Sequence, residues 1–167
     1  GCNGNVIAYD VATKETTSIA LPNEEARVST IKHHTDSTYY LTNYKEGENP
    51  TTKLGVINSE TNEFTLVELP AAYGSGVLVA ADNIGYVQAE NGILYKIDLA
   101  KAQIVEEIDA IQAFNLEEEK ISLALVNNEV LIVVPNANAI LQVHGDHVHQ
   151  VADLDVEPTG VLSVTAY

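Results

Sequence analysis

"VIAYDVATKETTSIAL", residues 6–21, runs from an apolar stretch through a short polar turn into a second stretch in which apolar and polar residues partly alternate. Val, Ile, Tyr and Thr favour a pleated backbone, and a polar interruption of this length joins two antiparallel strands. The same design returns in "LGVINSETNEFTLVEL" (54–69), "ILYKIDLAKAQIVEEI" (93–108) and "ILQVHGDHVHQVADL" (140–154). The four turns open at Asp10, Asn58, Asp98 and His144, at spacings of 48, 40 and 46 residues. An Asp or Asn at such a position accepts hydrogen bonds from backbone amides just ahead of it and closes the turn. The fourth turn opens on a histidine instead.

Between these hairpins lies a second set of paired strands. "RVSTIKHHTDSTYYLTNY" (27–44) breaks at His34-Thr35-Asp36-Ser37, "GVLVAADNIGYVQA" (76–89) at Asp82-Asn83, and "ISLALVNNEVLIVV" (121–134) at Asn127-Asn128. The repeating unit is therefore four antiparallel strands in about 45 residues, the signature of a β-propeller blade. The expected fold is all-β, a single propeller domain or a part of one spanning 1–167. It divides into a half blade at 3–22, blades at about 27–70, 75–110 and 120–155, and the first strand of a further blade at 159–167. Helix-friendly composition is confined to "PNEEARVST" and "DAIQAFNLEEEK", which read as connections between blades, and Glu117, Glu118 and Glu119 read as a solvated face. Trp is absent and so are the kelch and WD signatures; "AYDVATKET" resembles the hydrophobic-Asp-x-x-Thr hairpin of YVTN-like propellers, which speaks for the fold and not for function.

Composition excludes several partners. Lys and Arg number 8 against 24 Asp and Glu, for a formal charge of −16. Nucleic acid and anionic lipid surfaces both require a cationic footprint, so neither fits. An acidic surface concentrates cations and steers a partner carrying a basic patch, an effect that fades with salt. No apolar run reaches the roughly 18 residues of a membrane helix. The sequence contains no methionine, and "GVLSVTAY" at 160–167 reads as a strand with no turn after it, which suggests processed ends or a trimmed piece of a longer protein. The single cysteine, Cys2, follows Gly1 and permits no intrachain disulfide. A Gly-Cys start resembles the end of a bacterial lipoprotein signal, where the cysteine becomes a lipid anchor; an ordinary strand-end cysteine is the plainer reading.

The fourth hairpin carries the chemistry. In "HGDHVH", residues 144–149, three of the chain's five histidines fall within six positions. If Gly145-Asp146 form the tip, His144 and His147 meet across the turn, and His147 and His149, two apart on a strand, point to one face. Gly145 tolerates the positive φ such a tip requires. Three neutral imidazoles converging from one hairpin suit Zn2+, which takes nitrogen at about 2.0–2.1 Å in tetrahedral geometry. Copper and nickel bind the same donors, so residue type does not fix the metal. Asp146 is a candidate fourth ligand, or an acceptor that orients a ring. Binding is expected to weaken as pH falls through about 6.5, because only neutral imidazole ligates. His33, His34 and Asp36, in "HHTD", form a candidate second and weaker metal site, for which a plain polar turn is the simpler account.

"HGDHVH" resembles the "HGDHYH" histidine triad of streptococcal zinc-scavenging surface proteins, over those six residues only. A His-Gly-Asp-His-x-His segment within a β-propeller also resembles the periplasmic zinc metallochaperones that accompany ABC-type zinc importers. That resemblance implies a zinc-holding role for His144, His147 and His149, and transfer of zinc to the importer's solute-binding protein outside the cytoplasm. The chain departs from a complete member by being about half as long, so ligands contributed by further blades stay open.

Two other readings compete. One is a propeller that binds a protein or ligand, its histidines structural or incidental. The other is an enzyme using the central channel, which needs acidic or histidine residues on inner strands. Glu90 and Asp82 do not make such a set, and no residue is placed as a general base beside the triad. The expectation is a binding protein and not an enzyme.

Overall fold

The computed structural model describes residues 3–47, 51–79, 81–109, 121–134 and 138–153. Cys2, the whole 110–120 connection with its three glutamates, and the expected strand at 159–167 lie outside the described residues. The described residues form fourteen strands and no helix.

The first hairpin pairs β1 (Asn5–Tyr9) with β2 (Thr16–Ala20) in a two-stranded sheet. Three four-stranded antiparallel meanders follow. The first holds β3 (Ile31–Lys32), β4 (Tyr39–Asn43), β5 (Lys53–Asn58) and β6 (Phe64–Glu68). The second holds β7 (Tyr73–Val79), β8 (Ile84–Ala89), β9 (Ile93–Asp98) and β10 (Gln103–Asp109). The third holds β11 (Ser122–Val126), β12 (Glu129–Val134), β13 (Ala139–His144) and β14 (His147–Asp153).

Period-two alternation places apolar side chains on both faces of the middle sheets, and the cores lie between successive sheets. Leu21, Ala26, Val28 and Tyr44 fill the space between the two-stranded sheet and the first meander, closed by Val6, Phe64 and Leu66. Leu41, Leu54, Val56 and Val67 of the first meander meet Val87, Tyr95 and Ile97 of the second. Leu94 and Ile108 of the second meet Ile132, Val134, Leu141 and Val148 of the third. Strand β7 touches both β3 and β11, whereas β10 touches β14. First strands therefore share one edge of the stack and last strands the opposite one, the radial order of propeller blades. The fold is a β-propeller of four-stranded antiparallel blades, with no closed sheet among the described residues.

One local expectation is corrected. The first strand of "RVSTIKHHTD" is reduced to Ile31–Lys32, with a lone bridge between Arg27 and Lys45. The reason is Asn43, whose side-chain oxygen accepts from the amides of both Ser29 and Thr30 at 2.8 Å, donors that a longer ladder would have used. The helix-friendly "PNEEARVST" makes a single turn, in which the Asn23 side chain accepts from Glu25 N at 2.8 Å and the Asn23 carbonyl from Ala26 N at 3.1 Å.

Candidate metal centre

The three earlier hairpins close in one way. Asp10 Oδ1 accepts from Ala12 N at 2.8 Å and Thr13 N at 3.0 Å, and Asn58 Oδ1 from Glu60 N at 2.8 Å and Thr61 N at 3.2 Å. Asp98 Oδ1 takes Lys101 N at 3.0 Å. Lys14, Asn62 and Ala102 then adopt φ of 62°, 57° and 50°, so four residues separate the paired ends of each hairpin. The backbone bonds of these turns hold Asp10 below the ordinary carboxylate range, and Asp98 is lowered first by Lys101.

The fourth hairpin opens on His144 in place of Asp or Asn, and it is shorter. His144 pairs directly with His147 across Gly145-Asp146. Gly145 has φ +63°, and Asp146 is not among the positive-φ residues, the pattern of a II′ turn. The register continues with Val143 opposite Val148 and Gln142 opposite His149. Paired residues share a face, so Val143, Val148 and Leu141 turn into the core against the second meander. His144, His147, His149 and Gln142 take the opposite face, and the three imidazoles are exposed.

The ring centres stand 5.5 Å apart for His144 and His147, 6.1 Å for His144 and His149, and 6.5 Å for His147 and His149. Three imidazoles bound to one zinc at about 2.0–2.1 Å bring their centres to roughly 5 Å. The rings are thus near that spacing, but among the described residues no three His, Cys, Asp or Glu side chains form a ready-made metal-holding group. Asp146 Oδ1 lies 3.1 Å from His147 Nδ1. A carboxylate only accepts, so Nδ1 carries the proton and Nε2 is left free to ligate. This bond is also the first cause holding the exposed Asp146 carboxyl below its ordinary value of 3.8. In this arrangement Asp146 orients a ring.

His33 and His34 are placed differently. His33 stacks on Tyr40 with ring centres 4.4 Å apart, and its Nε2 donates to the Ser37 carbonyl at 2.8 Å. His34 Nδ1 accepts from Asp36 N at 3.3 Å and stands 3.7 Å from Asp36 Oδ2. Each ring has its own partner within the turn, and the two point to different neighbours. Asp82 and Glu90 sit in exposed loops beyond opposite ends of β8, so neither lies on an inner strand. Gln142 was not among the residues singled out by motif. Its signal was the matched spacing of 142 and 144 on one strand and 147 and 149 on the other.

Fold and hairpin together describe a stack of propeller blades with an exposed imidazole cluster on its last outer hairpin. Apo AztD from Citrobacter koseri is similar, with a TM-score of 0.65 at 18% identity over 92% of this chain and 43% of that one. A second structure of Citrobacter koseri AztD gives 0.66 with the same identity and coverage. A chain of the mitotic checkpoint complex gives 0.59 at 10% identity over 84% of this chain and 40% of that one. The chain spans less than half the length of each. At these identities the likeness shows the fold. No family model and no curated protein matches the sequence.

Proposed function

We propose that this chain is an extracytoplasmic zinc carrier that holds the ion through His144, His147 and His149 and passes it to the solute-binding protein of an ABC zinc importer. One observation carries the reading: three exposed imidazoles on one face of a two-residue hairpin, their centres 5.5 to 6.5 Å apart. The reading requires the exposed rings to rotate between staggered wells so that their nitrogens turn inward, while the sheet behind them fixes the Cα positions. The resemblance of "HGDHVH" to the triads of zinc-handling proteins supports zinc as the cargo, and the propeller architecture shared with AztD fits the fold that resemblance implies.

Carriage fits this placement better than catalysis. Ligands on an outermost hairpin are open to a docking partner that removes the metal by ligand exchange, whereas hydrolysis requires a general base beside an open coordination position in a concave site. The formal charge of −16 favours an acceptor with a basic docking patch, and transfer should slow as salt screens that attraction.

Isothermal titration of the metal-free protein with zinc, beside a variant carrying alanine at 144, 147 and 149, tests the reading. Submicromolar one-to-one binding that disappears in the variant is expected. Weak binding, or binding indifferent to the three substitutions, would sink the carrier reading and leave a propeller whose histidines are incidental. Copper and nickel titrated in parallel establish the preferred ion.

A further inference from the structure

A histidine that ligates through one ring nitrogen is held in place when its other N–H is given to an acceptor, and such partners change metal affinity by about 10- to 100-fold. The fourth hairpin supplies one for His147, in Asp146 at 3.1 Å. Among the described residues, no aspartate stands against His149 in the same way. Its register partner on β13 is Gln142, and the two occupy the same, imidazole-bearing face of the sheet. Paired residues on adjacent antiparallel strands bring their Cβ atoms within about 4.5–5.5 Å, a gap that a glutamine side chain spans. The other glutamine of the hairpin, Gln150, lies on the opposite face and donates to the Ala152 carbonyl at 3.3 Å. Gln142 is half-buried where His149 is exposed, so the amide stands at the base of the cluster and the ring above it.

We infer that Gln142 is the positioning residue of the site: its carboxamide oxygen accepts the N–H of the non-ligating nitrogen of His149 when zinc binds. The inference rests on the triad reading and adds a function to a residue outside the motif. A carboxamide brings no charge, so it orients the ring without adding to the negative charge around the ion. Asp146 and Gln142 then divide the work across the hairpin, one serving the ring nearest the tip and the other the ring one pleat further down.

The test compares zinc titration of the full chain with Gln142→Leu and Gln142→Glu, beside the triple alanine variant, and follows the His149 ring nitrogens by 15N NMR. Gln142→Leu should bind zinc about tenfold more weakly and lose the single tautomer of His149 expected in the loaded wild type. Gln142→Glu restores an acceptor and should bind at least as tightly as wild type, which separates positioning from a folding defect. Wild-type affinity and an unchanged His149 tautomer in Gln142→Leu, with binding abolished in the triple variant, would overturn this inference alone. Binding that persists in the triple variant would overturn the triad reading and this inference with it.

Discussion

Gly145 is the residue on which convergence of the three rings depends. Its φ of +63° lets the chain reverse in two residues, and that reversal sets His144 directly opposite His147. A Cβ built there meets nothing within 4 Å, so alanine would suffer from backbone conformation and not from crowding. Left-handed geometry costs a non-glycine residue about 1–2 kcal/mol, and Gly145→Ala should destabilise the hairpin by that order. The same substitution should weaken zinc binding, since relaxing the turn moves His144 and His147 out of register; denaturant titration and calorimetry on one variant measure both effects. Gly145→Asn, which visits the left-handed region more readily, should lose less of each. Gly55 shows the contrasting use of glycine, because a methyl there would run into the Phe64 ring and Thr42 Oγ1. Glycine at the tip was legible in the sequence because a turn of that kind calls for it. Asp146 as an acceptor that orients a ring was legible too, because it adjoins His147 in the motif; the place of Gln142 opposite His149 was not, because it follows from register, which motif spacing alone does not report.

At the scale of the strand and turn, hairpins 48 and 40 residues apart in the chain were recognisable because Asp10, Asn58 and Asp98 announce the turns they cap. The Asn127-Asn128 pair did the same for β11 and β12, with φ of 50° and 65° at the two positions, the requirement of a I′ turn. Strand β3 was over-read for an equally local reason. "RVSTI" has the composition of a strand, yet a side chain sixteen residues after Arg27 takes the amides that would have extended the ladder. Asn43 also donates from Nδ2 to Ser29 Oγ at 2.6 Å, so one residue fastens the segment entering the first meander. Replacing Asn43 with alanine should therefore remove the partner of two backbone donors, one exposed and one half-buried, and cost about 0.5–1.5 kcal/mol in a urea titration. Zinc affinity should be unchanged, because β4 and the triad hairpin lie in different sheets. A loss below about 0.5 kcal/mol would mean that water or a longer β3–β4 ladder replaces the asparagine.

Across the whole molecule, apolar burial is distributed between sheets, and each core joins neighbours only. Leu54 lies fully buried between the first and second meanders, and Leu141 equally buried between the second and third, directly behind the triad. Cutting either to alanine should cost about 2–5 kcal/mol. In a stack held by nearest-neighbour contacts, such losses fall mainly on the sheets that share the core. On the proposed triad site, zinc would add a probe of that division, because a ligand bound only by the folded hairpin stabilises it by about 2.7 kcal/mol at a concentration of 100 times Kd. Excess zinc should thus recover much of the loss in Leu141→Ala, whose weakened core supports the hairpin, and less of the loss in Leu54→Ala, one sheet further away. Thermal unfolding of both variants with and without zinc distinguishes the cases. An equal rise in midpoint would show that the second meander, which contributes Val87 and Ile97 to one core and Leu94 and Ile108 to the other, couples the stack into one cooperative unit. A rise in neither would show that the hairpin binds its ion without drawing on the sheet behind it. The repeat in the sequence made the sheets countable, but their coupling depends on side chains that alternate faces within one strand, so it has to be read from the packed molecule and measured through a ligand held at one end.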